Sequence, residues 1–340
     1  IKLIMTSHYY TMSTALAKIV VSNVKVENRV PVITNEALRK LVPTRLLPEY
    51  MSFEVSPVSN AVSNAIRRTV SGELVVRRMI ADYDSVDTTD PFIIHEMVIK
   101  RLRSIPIDQS CPLDAKFELQ ASNDTAVIRD VKSSEIRMTF GGSKQPMKTL
   151  PFNGTFTLLT LGPGKAISIK NIVMHEATGI REGDGMHSVG INAASVAVDQ
   201  QPIDMYDPAA GGISSSVANP RKWKISFTTN GDIDPRACVA AACTNIIGRI
   251  AAVQNMMSTM TSNRDEYVLV IPGETHTIGH LFMRTAYDLF PDIRAAIFSV
   301  EDIGPVCTIR VRCVEDINTV YSAIIKYLTR VFTEIRSQFA

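Results

Sequence analysis

The chain of 340 residues is long enough for two or three domains, each with its own buried core, and needs no covalent staples to fold. Hydrophobic residues at 45% and charged residues at 21% exclude a disordered or fibrous chain. Thirty-six basic against 34 acidic residues leave a net charge of +2, without the one-sided field of a protein built mainly to grip phosphates.

The longest charge-free stretches, such as residues 237–248, fall short of the roughly 20 apolar residues of a membrane-spanning helix, so no membrane span is expected. The chain opens at Ile1, so its native start is expected upstream, and residues 1–5 are too short for a signal peptide. Cys111, Cys238, Cys243, Cys307 and Cys313 are odd in number, irregularly spaced and without a CxxC. That pattern argues against a disulfide framework or a zinc ribbon and for thiols in a reducing intracellular compartment.

Residues 1–48 mix short apolar runs with Pro31, Pro43 and Pro48 and read as a leader of strands and turns. From Ser59, a candidate cap, Val62, Ala65, Ile66 and Val70 recur on one helical face, with Arg67 and Arg68 at its border. Ile93, Ile94, Met97, Val98 and Leu102 predict a second helix over residues 92–102. It closes at Ile105-Pro106, because proline disfavours helix in the residue before it. Residues 111–221 have the texture of a β-rich inserted domain, with strands over 155–161 and 166–173 separated by Gly-Gly, Asn-Gly and Pro-Gly turns. Its far end, 206–220, concentrates Gly, Ser, Pro and Asn and is expected to be a mobile loop.

Residues 223–229 alternate as a strand, and Asp234-Pro235 then supplies an N-cap and a favoured first helical residue. The long helix that follows has a buried stripe at Val239, Ala242, Ile246, Ile250, Val253 and Met257, and residues 258–263 read as a linker. Beyond it come a strand over 267–271 and a helix with stripe Ile278, Leu281, Phe282, Ala286 and Leu289. Strands near 295–300 and 307–313 lead to a final helix. Its stripe, Val320, Ile324, Leu328, Val331, Phe332 and Ile335, calls for a partner, and the helix at 235–257 is the obvious one. The pattern is α+β.

Chemistry-bearing motifs give no enzyme. His276-Thr277-Ile278-Gly279-His280 places two histidines four apart on a helix face, as a zincin does. Thr277, however, stands where the general-base glutamate belongs, so a capped helix start is the better reading. Gly162-Pro163-Gly164-Lys165 and Gly141-Gly142-Ser143-Lys144 lack the spacing of a P-loop and read as turns. Cys238 and Cys243 read as core packing, and Asp82, Asp84, Asp87 and Asp90, without EF-hand spacing, as a solvated acidic loop. No catalytic residue, metal ligand or cofactor site is expected.

Two stretches carry a family resemblance. Val62-Ser63-Asn64-Ala65-Ile66-Arg67-Arg68 resembles the Asn-Ala-Leu-Arg-Arg helix of alpha and alpha-like RNA polymerase subunits. Thr89-Asp90, Phe92 to Glu96 and Lys100-Arg101-Leu102-Arg103-Ser104-Ile105-Pro106-Ile107 resemble the same family's "R-L-x-x-I-P-I" segment, and Leu161 to Ile167 followed by His187 resembles its inserted domain. Glu274-Thr275-His276-Thr277-Ile278-Gly279-His280 is similar to the "E-D-H-T-L-G-N" signature of the smaller alpha-like subunit, the eleventh subunit of RNA polymerase II. Thr275 and His280 depart from that signature, and the family's later "H-P" element has no counterpart near 299–302.

Both halves in one chain resemble the fused subunit of large DNA viruses of eukaryotes. The resemblance implies a leader (1–48), a larger alpha-like dimerisation domain (49–110 with 222–258), an inserted β-rich domain (111–221) and a smaller alpha-like domain (264–340). It implies an internal pseudo-heterodimer, not a homo-oligomer, on which two large catalytic polymerase subunits and small subunits assemble. That role involves no cofactor, no membrane and only indirect contact with DNA. Asn64, Arg67, Arg68, Arg101, Glu274, His276, Thr277 and His280 are the residues it points to at partner interfaces. The implied setting is the virion and the host cytoplasm or nucleus. The competing reading is a stand-alone virion structural or binding protein with the same dimer fold.

Overall fold

A computed structural model of the chain describes residues 17–28, 49–105, 107, 111–140, 143–146, 157–178, 190–198, 221–229, 233–301 and 304–339. Most of the 1–48 leader, Pro106, Gly141, Gly142, His187 and the 206–220 loop lie outside the described residues.

In chain order, β1 (Val20–Asn28) and β2 (Glu49–Ser56) precede α1 (Asn60–Arg68), which widens into a π-helical turn over Thr69–Glu73. Next come β3 (Val75–Ile80), β4 (Val86–Thr88), α2 (His95–Arg103), β5 (Lys116–Ser122), β6 (Arg129–Lys132), β7 (Arg137–Phe140) and β8 (Ser143–Pro146). Then β9 (Thr157–Leu161), β10 (Ala166–Thr178), β11 (Gly190–Ala197) and β12 (Trp223–Thr229) lead to α3 (Pro235–Met256). The last portion is β13 (Thr261–Asn263), β14 (Glu266–Pro272), α4 (His276–Leu289), β15 (Ala295–Glu301), β16 (Val306–Arg312) and α5 (Ile317–Ser337). The protein is therefore mixed α+β.

Four sheets form among the described residues. The first half holds an antiparallel sheet in the order β1-β2-β12-β11, and the second half one in the order β13-β14-β16-β15. Between them in sequence, β3-β10-β5-β7-β8 make a third sheet, with β4 also on β10, and β6 pairs β9. The 13-residue β10 is long enough to accept β3 and β4 on one edge and β5 on the other.

Two apolar cores result among the described residues, and their boundaries matter more than the sheets. One draws side chains from Ile19 to Val76 and from Ile225 to Phe339, so both halves share it. The other collects side chains from Met79 to Met174 and lies in the intervening region. In the shared core α3 packs along α5, as their apolar stripes require, and α1 packs on α4. Phe53 of β2 meets Phe339 beyond α5 edge-to-face at 4.9 Å. Side chains of α5 also cover the start of the edge strand β1: Val21 N donates to Gln338 Oε1 at 2.9 Å, and Gln338 Nε2 donates to the Ile19 carbonyl at 3.1 Å.

Several local expectations change. Ser59 sits at the N-cap of α1, but its side chain makes no capping bond, whereas Asp234 caps α3 by accepting from the amides of Arg236 and Ala237. α2 begins at His95, later than periodicity indicates; Val98, Ile99 and Leu102 are buried, while Ile94 and Met97 face outward. Val75–Ile80, for which no strand was expected, pairs with β10 because that long strand offers it an edge. The expected linker over 258–263 contains a 3₁₀ turn and β13, which pairs with β14.

Asp90 leaves the acidic loop. Buried, it accepts from the amides of Phe92 and Gly162, and these two bonds hold its carboxyl below the ordinary range. Gly164, at φ +67°, closes the turn that presents Gly162. By length and composition the helix Pro235–Thr259 could cross a membrane. Here its stripe packs on α5, and Arg249 near its end is ion-paired in the interior.

Candidate functional site

Of the segments that resemble the polymerase family, residues 62–68 and 274–280 lie at the contact between the halves, while 89–107 and 161–167 belong to the second core. α1 ends in the π-helical turn, closed by Leu74 N donating to the Thr69 carbonyl at 3.2 Å. This wide turn sets Thr69 and Glu73 side by side, and Thr69 Oγ1 donates to Glu73 Oε2 at 2.9 Å. Opposite, Glu274 ends the loop between β14 and α4, and Thr277 is in the first turn of α4.

Arg249 of α3 joins them. Its Nε donates to Glu274 Oε1 and Oε2 at 3.0 and 3.1 Å, its Nη2 to Glu274 Oε2, and its Nη1 to Glu73 Oε2. The planar guanidinium thus serves two carboxylates, one from each half, as its fork of donors allows. None of the three side chains is more than 12% exposed. Burial pulls the Arg249 pKa down, but the two carboxylates outweigh it and the net shift is upward.

Thr277 extends the network: its hydroxyl donates to Glu73 Oε1 at 2.7 Å and accepts from Arg68 Nε at 3.0 Å. Arg68 is thereby linked to Glu73 through the Thr277 hydroxyl. The Arg249 pair with Glu274 and the Thr277 bonds to Glu73 and Arg68 cross the boundary, so the site's chemistry is recognition of one half by the other.

Of the residues singled out from sequence, Arg68, Glu274 and Thr277 meet in this network, with Glu274 and Thr277 buried. Asn64 and Arg67 lie one turn apart on α1, where Arg67 Nε donates to Asn64 Oδ1 at 2.8 Å; burial first, and the neighbouring Arg68 cation second, pull the Arg67 pKa down. Arg101 is separate: exposed on α2, it donates to the Leu158 carbonyl at 2.6 Å. His276 is exposed and His280 half-buried, and both lie against Phe298 at ring-centroid distances of 5.8 and 6.4 Å. Burial, then the Arg284 cation, lowers the His280 pKa. Among the described residues no group of three His, Cys, Asp or Glu side chains gathers as a metal site would require. Burial pushes the Cys238, Cys243 and Cys307 thiols up to about 12, as core packing requires.

Glu73, Thr69 and Arg249 escape sequence reasoning. The available signal was Arg249 itself, a lone cation after the charge-free run 237–248 in a helix with an apolar stripe, where a buried charge needs a partner.

These observations define the class: a single α+β polypeptide whose two halves pair through a shared core and a buried charge network. No family model matches the sequence. The chain is similar to the DNA-directed RNA polymerase RPB3-11 homolog of African swine fever virus (strain Badajoz 1971 Vero-adapted), 25% identical over 273 residues, which cover 73% of this chain and 75% of the relative. Proteins of the same name from the Tick/Malawi/Lil 20-1/1983 and Warthog/Namibia/Wart80/1980 isolates are each 24% identical over the same shares. The chain is a homologue of these fused, viral RPB3- and RPB11-type proteins.

Proposed function

We propose that the chain is a non-catalytic assembly subunit of a DNA-directed RNA polymerase, an internal alpha-type heterodimer on which the two large catalytic subunits assemble to transcribe viral genes. The observation that carries this reading is the meeting of the two family-like stretches at one interface, in a chain homologous to viral RPB3-11 proteins. Joining the halves fixes their ratio at one to one and raises the effective concentration of each for the other. Its setting is intracellular, in the infected cell and the virion.

In this reading the division into 49–110 with 222–258, the 111–221 insert and 264–340 is functional: the outer units form the platform and the insert extends from it, although Met79 to Ile107 pack in the insert's core and Gly190–Ala197 joins the first half's sheet. Outward contacts to partners fall to Asn64, Arg67, Arg101, His276 and His280, while Arg68, Glu274 and Thr277 act through the internal pairing. Arginine suits such surfaces because its guanidinium grips interface carboxylates and carbonyls. The test is mass spectrometry of the native complex purified through this chain. Two very large polymerase subunits are expected, and their absence would sink the proposal. Arg67→Ala with Arg101→Ala should weaken their recovery while the chain itself stays folded.

A further inference from the structure

Each half brings the same parts to the shared interface, a short helix entered through an N-cap residue and a long helix. α1 follows Ser59 and α4 follows Thr275; short packs on short and long on long. The residue before the cap differs. In the first half it is Val58, 0% exposed, and in the second it is Glu274, 5% exposed.

That difference, with the cation that answers it, gives the interface a direction. Glu274 finds its cation on α3 of the first half, at Arg249. The buried face of α5, the corresponding helix of the second half, carries apolar side chains and Tyr321 and no cation. Its Arg330 is engaged elsewhere, with Glu334 and the Ala17 carbonyl.

Two second halves brought together would bury two Glu274 carboxylates against apolar helix faces, which desolvation makes strongly unfavourable. Two first halves would set Val58 where Glu274 stands and leave each Arg249 with one of its two carboxylates. First half on second half alone completes the set. From this we infer that Glu73, Arg249 and Glu274 select the partner at this interface: a first half is matched to a second half, and pairing of like halves is rejected. Selection works by an unpaired charge in the wrong pair as much as by attraction in the right one.

The test uses the whole chain with a protease site inserted in the turn Met257–Thr259, so that the folded protein can be cut into its halves. Cut wild-type protein and cut, isotope-labelled protein carrying Arg249→Glu with Glu274→Arg are mixed, unfolded, refolded together and read by native mass spectrometry. The exchanged pair keeps one cation and two carboxylates, so matched couples should exceed mismatched ones by about tenfold, with like-half couples absent. Equal populations of matched and mismatched couples would overturn the inference. So would exchanged halves that fail to couple where wild-type halves succeed. On uncut chains in light scattering, wild type should be monomeric, Glu274→Arg alone should associate, and the double variant should be monomeric again. A single variant as monomeric and stable as wild type would also overturn it. All these readouts use the chain alone, so they stand apart from its place in a polymerase.

Discussion

Arg249 shows how much one buried side chain can control. It is held by two carboxylates it cannot leave without exposing charge to an apolar core. Removing one member of such a set is far more harmful than removing all of it. Arg249→Met should therefore lower stability by about 3–5 kcal/mol in denaturant unfolding. Adding Glu73→Leu and Glu274→Leu should return most of that loss, because no charge is then left unpaired. If the triple variant proved weaker than the single one, the network would be a net source of stability. Asp90 acts on a smaller range, tying the loop before α2 to the Gly162 turn. Its carboxyl is depressed below the ordinary 3.8, so its contribution is fully present above that value and lost as pH falls through the lower folded value. In acid titration followed by circular dichroism, Asp90→Asn should lower stability at neutral pH and flatten its pH dependence below about 4, so that variant and wild type converge in acid. A wild-type-like acid profile in that variant would show that other carboxylates govern the transition.

Among the elements, α4 is the one whose position the surroundings constrain most closely. A Cβ built at Gly279 would collide with the edge of the Phe298 ring and lie 2.9 Å from Cys307 Sγ, so the helix lies against β15 and β16 because this residue has no side chain. Alanine is the better helix former by about 1 kcal/mol, but overpacking here costs roughly 1–3 kcal/mol and the ring and the sulphur would both have to retreat. Gly279→Ala should thus lower the melting temperature, and it should weaken the Thr277 to Glu73 bond by moving the first turn of α4. A rise in melting temperature would show that the sheet yields. The same element explains the family-like signature locally. Glu274 is the ion-pair partner, Thr277 the hydroxyl bridge and Gly279 the point of close approach, so three of its seven positions have a structural role.

Over the whole molecule the shared core predicts that the halves unfold together. Trp223, the chain's single tryptophan, is in β12 of the first half, whereas Leu328 is in α5 of the second. Leu328→Ala should shift the unfolding midpoint reported by Trp223 fluorescence by an amount equivalent to about 2–5 kcal/mol. A tryptophan transition that stayed in place would mean that the halves fold separately. The intervening region has its own core, so it can unfold in a separate step visible by circular dichroism and silent at Trp223.

The sequence alone determined the periodic elements and the two motif stretches. The stripes of α3 and α5, the Asp234 cap and the strand at β12 all follow from local spacing and capping chemistry. The resemblance at Asn64 to Arg68 and at Glu274 to His280 was equally legible, because those residues are contiguous. Tertiary structure decided what the stretches do to each other. Glu73 and Arg249 are 176 residues apart, and Arg68 and Thr277 are 209 apart. It also decided that the side chains from Met79 to Leu102 join the second core and that Asp90 is buried. The physical reason is that periodicity reports that a face is buried but not which surface buries it, and a charge declares its need for a partner without naming one.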